Sequence, residues 1–202
     1  PLSTEGLRSN VWVERGVGQL TVHWSDIPQA KSYNIYKNDR KIENVIGDTS
    51  YIDIVAPGVP TSYMIRSIDL YDLEGPTSNT ATEKASFPPP ELVISVVAGG
   101  YAIEGSGRLI NLSWPEVPGV NNYALYRDGE LLSKQSELVY EEKDLDWNTT
   151  YVYAINSIDS DDLEGVNFID TVTTHPEVTA PIFKLEGKVN SVEISWEAIP
   201  GM

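Results

Sequence analysis

Apolar and polar residues alternate along most of this chain with a period of two. Leu20, Val22 and Trp24 are separated by Thr21 and His23, and Ile110, Leu112 and Trp114 by Asn111 and Ser113. That period places one set of side chains on a single, buried face of a β-strand. The next segments carry Tyr33 with Ile35, and Tyr123 with Leu125, toward the same interior. Lys37-Asn38-Asp39 and Arg127-Asp128-Gly129 then supply hairpin turns, because Asn, Asp and Gly tolerate positive φ. Thr149 to Ile158 alternates again through Tyr151, Tyr153 and Ile155. No apolar pattern of period 3.6 reaches useful length, so the spacing predicts an all-β chain of short strands. The expected core is Leu20, Val22, Trp24, Tyr33, Ile35, Ile110, Leu112, Trp114, Tyr123, Leu125, Tyr151 and Ile155, with Trp196 added by its local pattern.

The pattern repeats. Placing Trp24 over Trp114 sets an offset of 90, which also brings Pro28 onto Pro118, Tyr33 onto Tyr123 and Tyr36 onto Tyr126. Ser67-Ile68-Asp69 then falls on Ser157-Ile158-Asp159, and Leu73-Glu74-Gly75 on Leu163-Glu164-Gly165. Tyr51 matches Tyr140 across a small gap. A third copy starts late: Val192 to Gly201, with Trp196, repeats Ile110 to Gly119 at an offset of 82, and Ser191 precedes it. Proline fixes φ and restricts the residue before it, so Phe87-Pro88-Pro89-Pro90 reads as a stiff, extended linker. The expected organisation is a first module over 1–86, a linker over 87–90, a second module over 91–176 and the first strands of an incomplete third over 177–202. Two strands without further sheet partners are expected to pack poorly. A chain that starts at Pro1 and stops at Met202, just past Trp196, is expected to be a piece of a longer protein.

At these residues the chain resembles the fibronectin type III family. The buried Trp followed by Pro reads here as Trp24 with Pro28 and Trp114 with Pro118, and the Tyr-x-hydrophobic strand as Tyr33-Asn34-Ile35 and Tyr123-Ala124-Leu125. Leu145 to Tyr151 looks like the family's corner, in which a Tyr hydroxyl bonds back to nearby backbone. The first repeat departs from it, since counting back from Ser67 places Thr61 under Tyr151. The resemblance implies tandem immunoglobulin-like β-sandwiches of seven strands each, with a truncated third repeat. Its phrasing is similar to the bacterial branch, whose modules separate catalytic, carbohydrate-binding and anchoring domains in secreted or surface proteins. It therefore implies an extracellular or cell-surface location, a spacer and interaction role, and neighbouring domains of a parent chain as partners. That parent could be a polysaccharide-degrading enzyme. The competing implication is an adhesion module for carbohydrate or a surface protein.

Charge narrows the partners. With 14 Lys and Arg against 30 Asp and Glu, the net charge is -16, which repels nucleic-acid phosphates and anionic lipid. No apolar run is long enough for membrane insertion. The chain has no cysteine, which excludes disulfides, thiolate metal sites and a Cys nucleophile. For catalysis, His23 and His175 neither pair nor recur, and no phosphate loop or His-x-x-x-His spacing is present, so no catalytic residue and no cofactor is expected.

Two groups of residues remain as candidates. Asp159, Asp161, Asp162 and Glu164 cluster oxygen ligands around a glycine turn, which suits calcium, although the spacing is not an EF-hand loop. A solvated turn with Asp capping backbone N–H groups accounts for the same residues. Trp147, Trp12 and Tyr71 are the aromatics that could stack on a sugar or meet another protein.

Overall fold

The computed structural model of the chain describes residues 7–97, 108–177 and 183–196, all of them strand, turn or irregular chain. In the first repeat, β1 (Val11–Gly16), β2 (Gln19–Trp24) and β5 (Ser50–Ile54) form one antiparallel sheet in the order β1-β2-β5. The second sheet runs β4 (Arg40–Val45), β3 (Ser32–Lys37), β6 (Thr61–Ile68) and β7 (Glu74–Thr77), with β8 (Ala81–Glu83) also paired to β6. Leu20, Val22, Trp24, Tyr33, Ile35, Tyr63 and Ile65 form one buried cluster, drawing side chains from both sheets. A half-exposed β-sheet cannot bury its apolar face alone, and two facing sheets are the simplest solution.

The second repeat reproduces the strand order. Strands β9 (Val93–Val96), β10 (Ile110–Ser113) and β13 (Val139–Glu142) are ordered β13-β10-β9. Strands β11 (Asn122–Arg127), β12 (Glu130–Gln135), β14 (Thr150–Ile158) and β15 (Phe168–Thr173) are ordered β12-β11-β14-β15. Even the irregularities recur. A register shift falls between Ile35 and Tyr36 on β3 and between Leu125 and Tyr126 on β11. The hairpin turns have positive φ at Asn38 and Asp39, and at Asp128 and Gly129. Those turns are held alike: Asn38 Oδ1 accepts from the Ser62 amide at 3.0 Å and Asp128 Oδ1 from the Val152 amide at 2.9 Å. All twelve core residues expected in these two repeats are buried.

Three details refine the expectations. The last strand of the first repeat is split into β7 and β8. Across the interruption Asn79 turns inward, its side chain both accepting from and donating to the backbone of Val11 at 2.8 Å. The Tyr corner forms in the second repeat, where the Asp146 amide donates to the Tyr151 hydroxyl at 2.9 Å. Its counterpart Thr61 instead donates to the Val59 carbonyl at 3.2 Å. The third detail is a correction: Trp196 is 68% exposed. Strands β16 (Phe183–Lys188) and β17 (Ser191–Trp196) pair only with each other among the described residues, so nothing covers the alternate side chains.

Compactness divides the chain into two units. The first is Pro1–Val93 with Ser113–Val139 and Val152–Asp170; the second is Ile94–Leu112 with Tyr140–Tyr151 and Thr171–Met202. The first unit therefore takes in residues of both complete repeats.

Candidate functional site

The turns after β6 and β14 are built the same way. Asp69 Oδ1 accepts the amides of Tyr71 and Leu73 at 2.8 and 2.9 Å, and Asp159 Oδ1 those of Asp161 and Leu163 at 2.9 and 3.0 Å. Asp72 and Asp162 take positive φ at matching places. An aspartate that closes its own turn in this way is an ordinary use of the residue. The glutamate that follows is a latch in both repeats. Glu74 accepts from Asn34, Tyr36 and Arg66 at 2.5, 2.7 and 3.2 Å. Glu164 accepts from Tyr126 and Asn156 at 2.5 and 2.9 Å and pairs with Lys134 at 2.8 Å. Burial pushes the Glu164 carboxyl up, but Lys134, Tyr126 and Asn156 outweigh it and hold the group down to about 2. The recurring Glu-Gly phrase is thus explained by anchoring the strand end.

In the second repeat the aspartate does more. Its side chain is 1% exposed, and its other oxygen meets Arg15 Nη2 at 2.5 Å. Burial raises the Asp159 carboxyl, while the Leu163 and Asp161 amides and Arg15 together bring it below the usual aspartate range. Arg15 is itself fixed by its Nε, which donates to Ser86 Oγ at 2.8 Å. Lys84 pairs with Asp161 at 2.5 Å, a contact far more open on the carboxylate side. Arg15, Lys84 and Ser86 belong to the first repeat, so this loop receives side chains from 144 and 77 residues earlier in sequence.

The proline segment is seated rather than merely stiff. Ser157 Oγ donates to the Pro88 carbonyl at 2.7 Å, and Pro90 and Leu92 are buried. The Phe87 ring lies between two glycines of left-handed φ: a Cβ on Gly58 would stand 2.7 Å from it, and one on Gly119 3.2 Å. Only glycine gives both the conformation and the space. Together, the ion pairs, the linker carbonyl and the enclosed ring form an inter-repeat joint.

Sequence reasoning placed Asp159, Asp161, Asp162 and Glu164 on one loop, and the structure keeps them there but spends three of them on cations of this chain. Asp162 is exposed. No group of three His, Cys, Asp or Glu able to hold a metal ion occurs among the described residues. Arg15, Lys84, Ser157 and the two glycines went unrecognised, because a contact across such separations leaves no periodic signal. The aromatics lie apart. Trp147 is half-buried, with the Arg108 guanidinium 5.8 Å from its ring centre. Trp12 is 50% exposed and stacks on His23 at 5.5 Å, and Tyr71 is 73% exposed. An open groove of about 450 Å³ is lined by Asp26, Ala30, Lys31, Tyr33, Gly47, Asp48 and Thr49, with the Tyr33 hydroxyl donating to Asp26 at 2.5 Å. No helix among the described residues is long and apolar enough to cross a membrane.

The class that this strand order defines is a tandem array of fibronectin type III-like β-sandwiches. No protein-family model matches the chain. It is similar to the central fibronectin-III array of RIM-binding protein, at 12% identity over 97% of this chain and 82% of that one, with a TM-score of 0.35. The FN1–FN3 domains of chicken CNTN1 match at 17% identity over 85% and 69%, with a TM-score of 0.38. An Fn3-like protein from Clostridium thermocellum matches at 22% identity over 40% and 88%, with a TM-score of 0.33.

Proposed function

We propose that this chain is a non-catalytic spacer whose joint fixes the direction of one repeat on the next, within a larger secreted or cell-surface protein. The observation that carries the reading is the Arg15–Asp159 pair: a carboxylate 1% exposed, closed on one side by its own turn and on the other by an arginine of the preceding repeat. A flexible tether has no use for such a contact. A buried charge without its partner is strongly destabilising, so the pair favours one geometry over the alternatives. The acidic surface suits a part that must stay soluble, and a packed sandwich needs no disulfide to stay folded. Its partners on this reading are neighbouring domains of the same protein. On this reading Arg15 neutralises the buried carboxylate of the acidic loop, so the joint invokes no calcium.

The test compares the chain with Arg15→Gln by small-angle scattering and by amide exchange at Asp161 and Leu163. Arg15→Gln is expected to broaden the distance distribution and to raise exchange at both amides roughly tenfold or more, the scale of a lost local contact of over 1 kcal/mol. Unchanged scattering together with unchanged exchange would remove the rigid-joint reading.

A second reading rests on the outer face of β1-β2-β5. Trp12 lies opposite His23 there, and Thr21 and Gln19 lie opposite Ile52 and Ile54, which are 57% and 74% exposed. An exposed aromatic beside aliphatic neighbours suits a sugar face or another protein. Retardation in polysaccharide affinity gels, abolished by Trp12→Ala, would favour it; no retardation on any polysaccharide would end the sugar version.

A further inference from the structure

The seat that receives the first repeat has a second copy in the first repeat itself, and there it stands open. Offset by 90, Ser67 matches Ser157, Asp69 matches Asp159, Tyr71 matches Asp161 and Leu73 matches Leu163. Ser157 Oγ is used on the Pro88 carbonyl. Ser67 Oγ is just as deeply placed, on a residue 2% exposed, yet it has no hydrogen-bond partner among the described residues. A buried hydroxyl left unpaired costs free energy, and such groups are rare in native structures. Asp69 forms the same turn as Asp159, but no ion pair engages it among the described residues. Where the filled seat has Asp161 facing Lys84, the open one presents Leu70, Tyr71 and Leu73, which are 66, 73 and 64% exposed. Exposed apolar side chains gathered on one turn, beside a carboxylate and a buried hydroxyl, are the parts of an unfilled contact.

We propose that the Ser67–Leu73 face of the first repeat is the docking seat for the C-terminal end of a further module of this repeat type. That module would bring an arginine to Asp69, a linker carbonyl to Ser67 and an apolar or cationic side chain onto Tyr71. The proposal rests on the joint reading above and extends it to a second joint of the same construction. The occupant is specified by the filled copy: among the described residues, the matching seat holds the arginine, lysine and linker of a preceding module.

The experiment adds a module of known fit. A second copy of residues 7–87 is joined ahead of Leu7 in the full chain, so that Val11 follows the added Phe87 at the spacing that Leu92 has in the natural joint. Val11 and Leu92 are both buried and both sit at the entry to a first strand, 3 and 4% exposed. Amide exchange is read at Tyr71 and Leu73 of the original repeat, the two donors to Asp69. The expected result is slowing by roughly tenfold relative to the unextended chain. Asp69→Asn, which keeps the turn's acceptor, or Arg15→Gln in the added copy, should abolish that slowing. Exchange unchanged by the added module, while Asp161 and Leu163 stay protected, would overturn the proposal and leave the joint reading intact. Loss of the joint reading is visible separately, as unchanged Asp161 and Leu163 exchange in Arg15→Gln of the unextended chain. Protection that grows with concentration in the unextended chain would also overturn the proposal, by making a second copy of this chain the occupant.

Discussion

The hairpins β1–β2 and β16–β17 are the same object in two surroundings. Val11 pairs with Trp24 and Gly16 with Gln19; Phe183 pairs with Trp196 and Lys188 with Ser191. Both ladders have six paired positions and close through two residues, the second of which takes positive φ, Gly18 and Asn190. Strand pairing and turn are therefore set locally, by alternation and by a residue that tolerates left-handed backbone. Burial is not. In the first hairpin β2 also pairs with β5, and Trp24 is 1% exposed against the Tyr33 ring at 5.6 Å. In the second, Leu185, Val192, Ile194 and Trp196 are all more than half exposed. An isolated hairpin is marginal in water, so the second carries the pattern of a core strand without the core.

The comparison is most directly broken by removing the matched indoles. Trp24→Ala deletes a fully buried ring and leaves a cavity, and is expected to destabilise the first repeat by about 3–5 kcal/mol. Trp196→Ala is expected to change stability by less than about 0.5 kcal/mol, as for an exposed site. Urea unfolding followed by circular dichroism reads both. Equal losses would mean that the third hairpin is packed in solution, and the comparison would fail.

How much of this was legible follows the same division. The alternation in Leu20-Thr21-Val22-His23-Trp24 and its copy at Ile110 gave the strands, their inward faces and the repeat. Trp196 has an identical local pattern, so sequence spacing placed it in a core that its surroundings do not provide. The acidic loop was found by composition, but its role depends on Arg15, which sits on a strand 144 residues earlier and whose matching position in the third hairpin is Gly187. By sequence Phe87 only begins a stiff tether. The ring's place between Gly58 and Gly119 depends on turns on either side of it in sequence, each needing glycine for its own φ.

Acid offers a smaller and graded probe of the latched loops. Glu164 titrates near 2 in the folded chain, below the ordinary 4.5, and Asp159 is likewise held below the ordinary 3.8. A carboxyl with a depressed folded value contributes stability that is full above its unfolded value and is lost as pH falls toward the folded one. The window is thus from about 4.5 down to about 2. With Glu164 partly open to solvent, its share is on the order of 1–2 kcal/mol after screening. The melting temperature is expected to fall between pH 5 and pH 2.5, roughly 2–8 °C for such an energy, and Glu164→Gln should flatten much of that slope. A wild-type slope retained in Glu164→Gln would assign the acid response elsewhere.

The smallest effect is expected from the hairpin's own ion pair. Lys188 meets Glu193 across β16 and β17, with side chains 58 and 57% exposed. Arg15 and Asp159 also join a strand residue to a carboxylate, but at 18 and 1% exposure. Contact alone would rank the two pairs together, whereas solvent separates them. Exposed pairs contribute about 0–1 kcal/mol, because water screens the charges and holding two long side chains costs entropy. A pair desolvated on one side leaves an unpaired buried charge when broken, at a cost of several kcal/mol. Glu193→Gln is therefore expected to shift the urea midpoint by no more than about 0.2 M, which for a typical urea slope is under about 0.5 kcal/mol. Added salt to about 1 M should erase even that shift, since the Debye length then falls to about 3 Å, while the Arg15–Asp159 contact keeps most of its effect. A larger cost at Glu193 than at Arg15 would show that burial, the quantity that distinguishes these two hairpins, does not rank their charges.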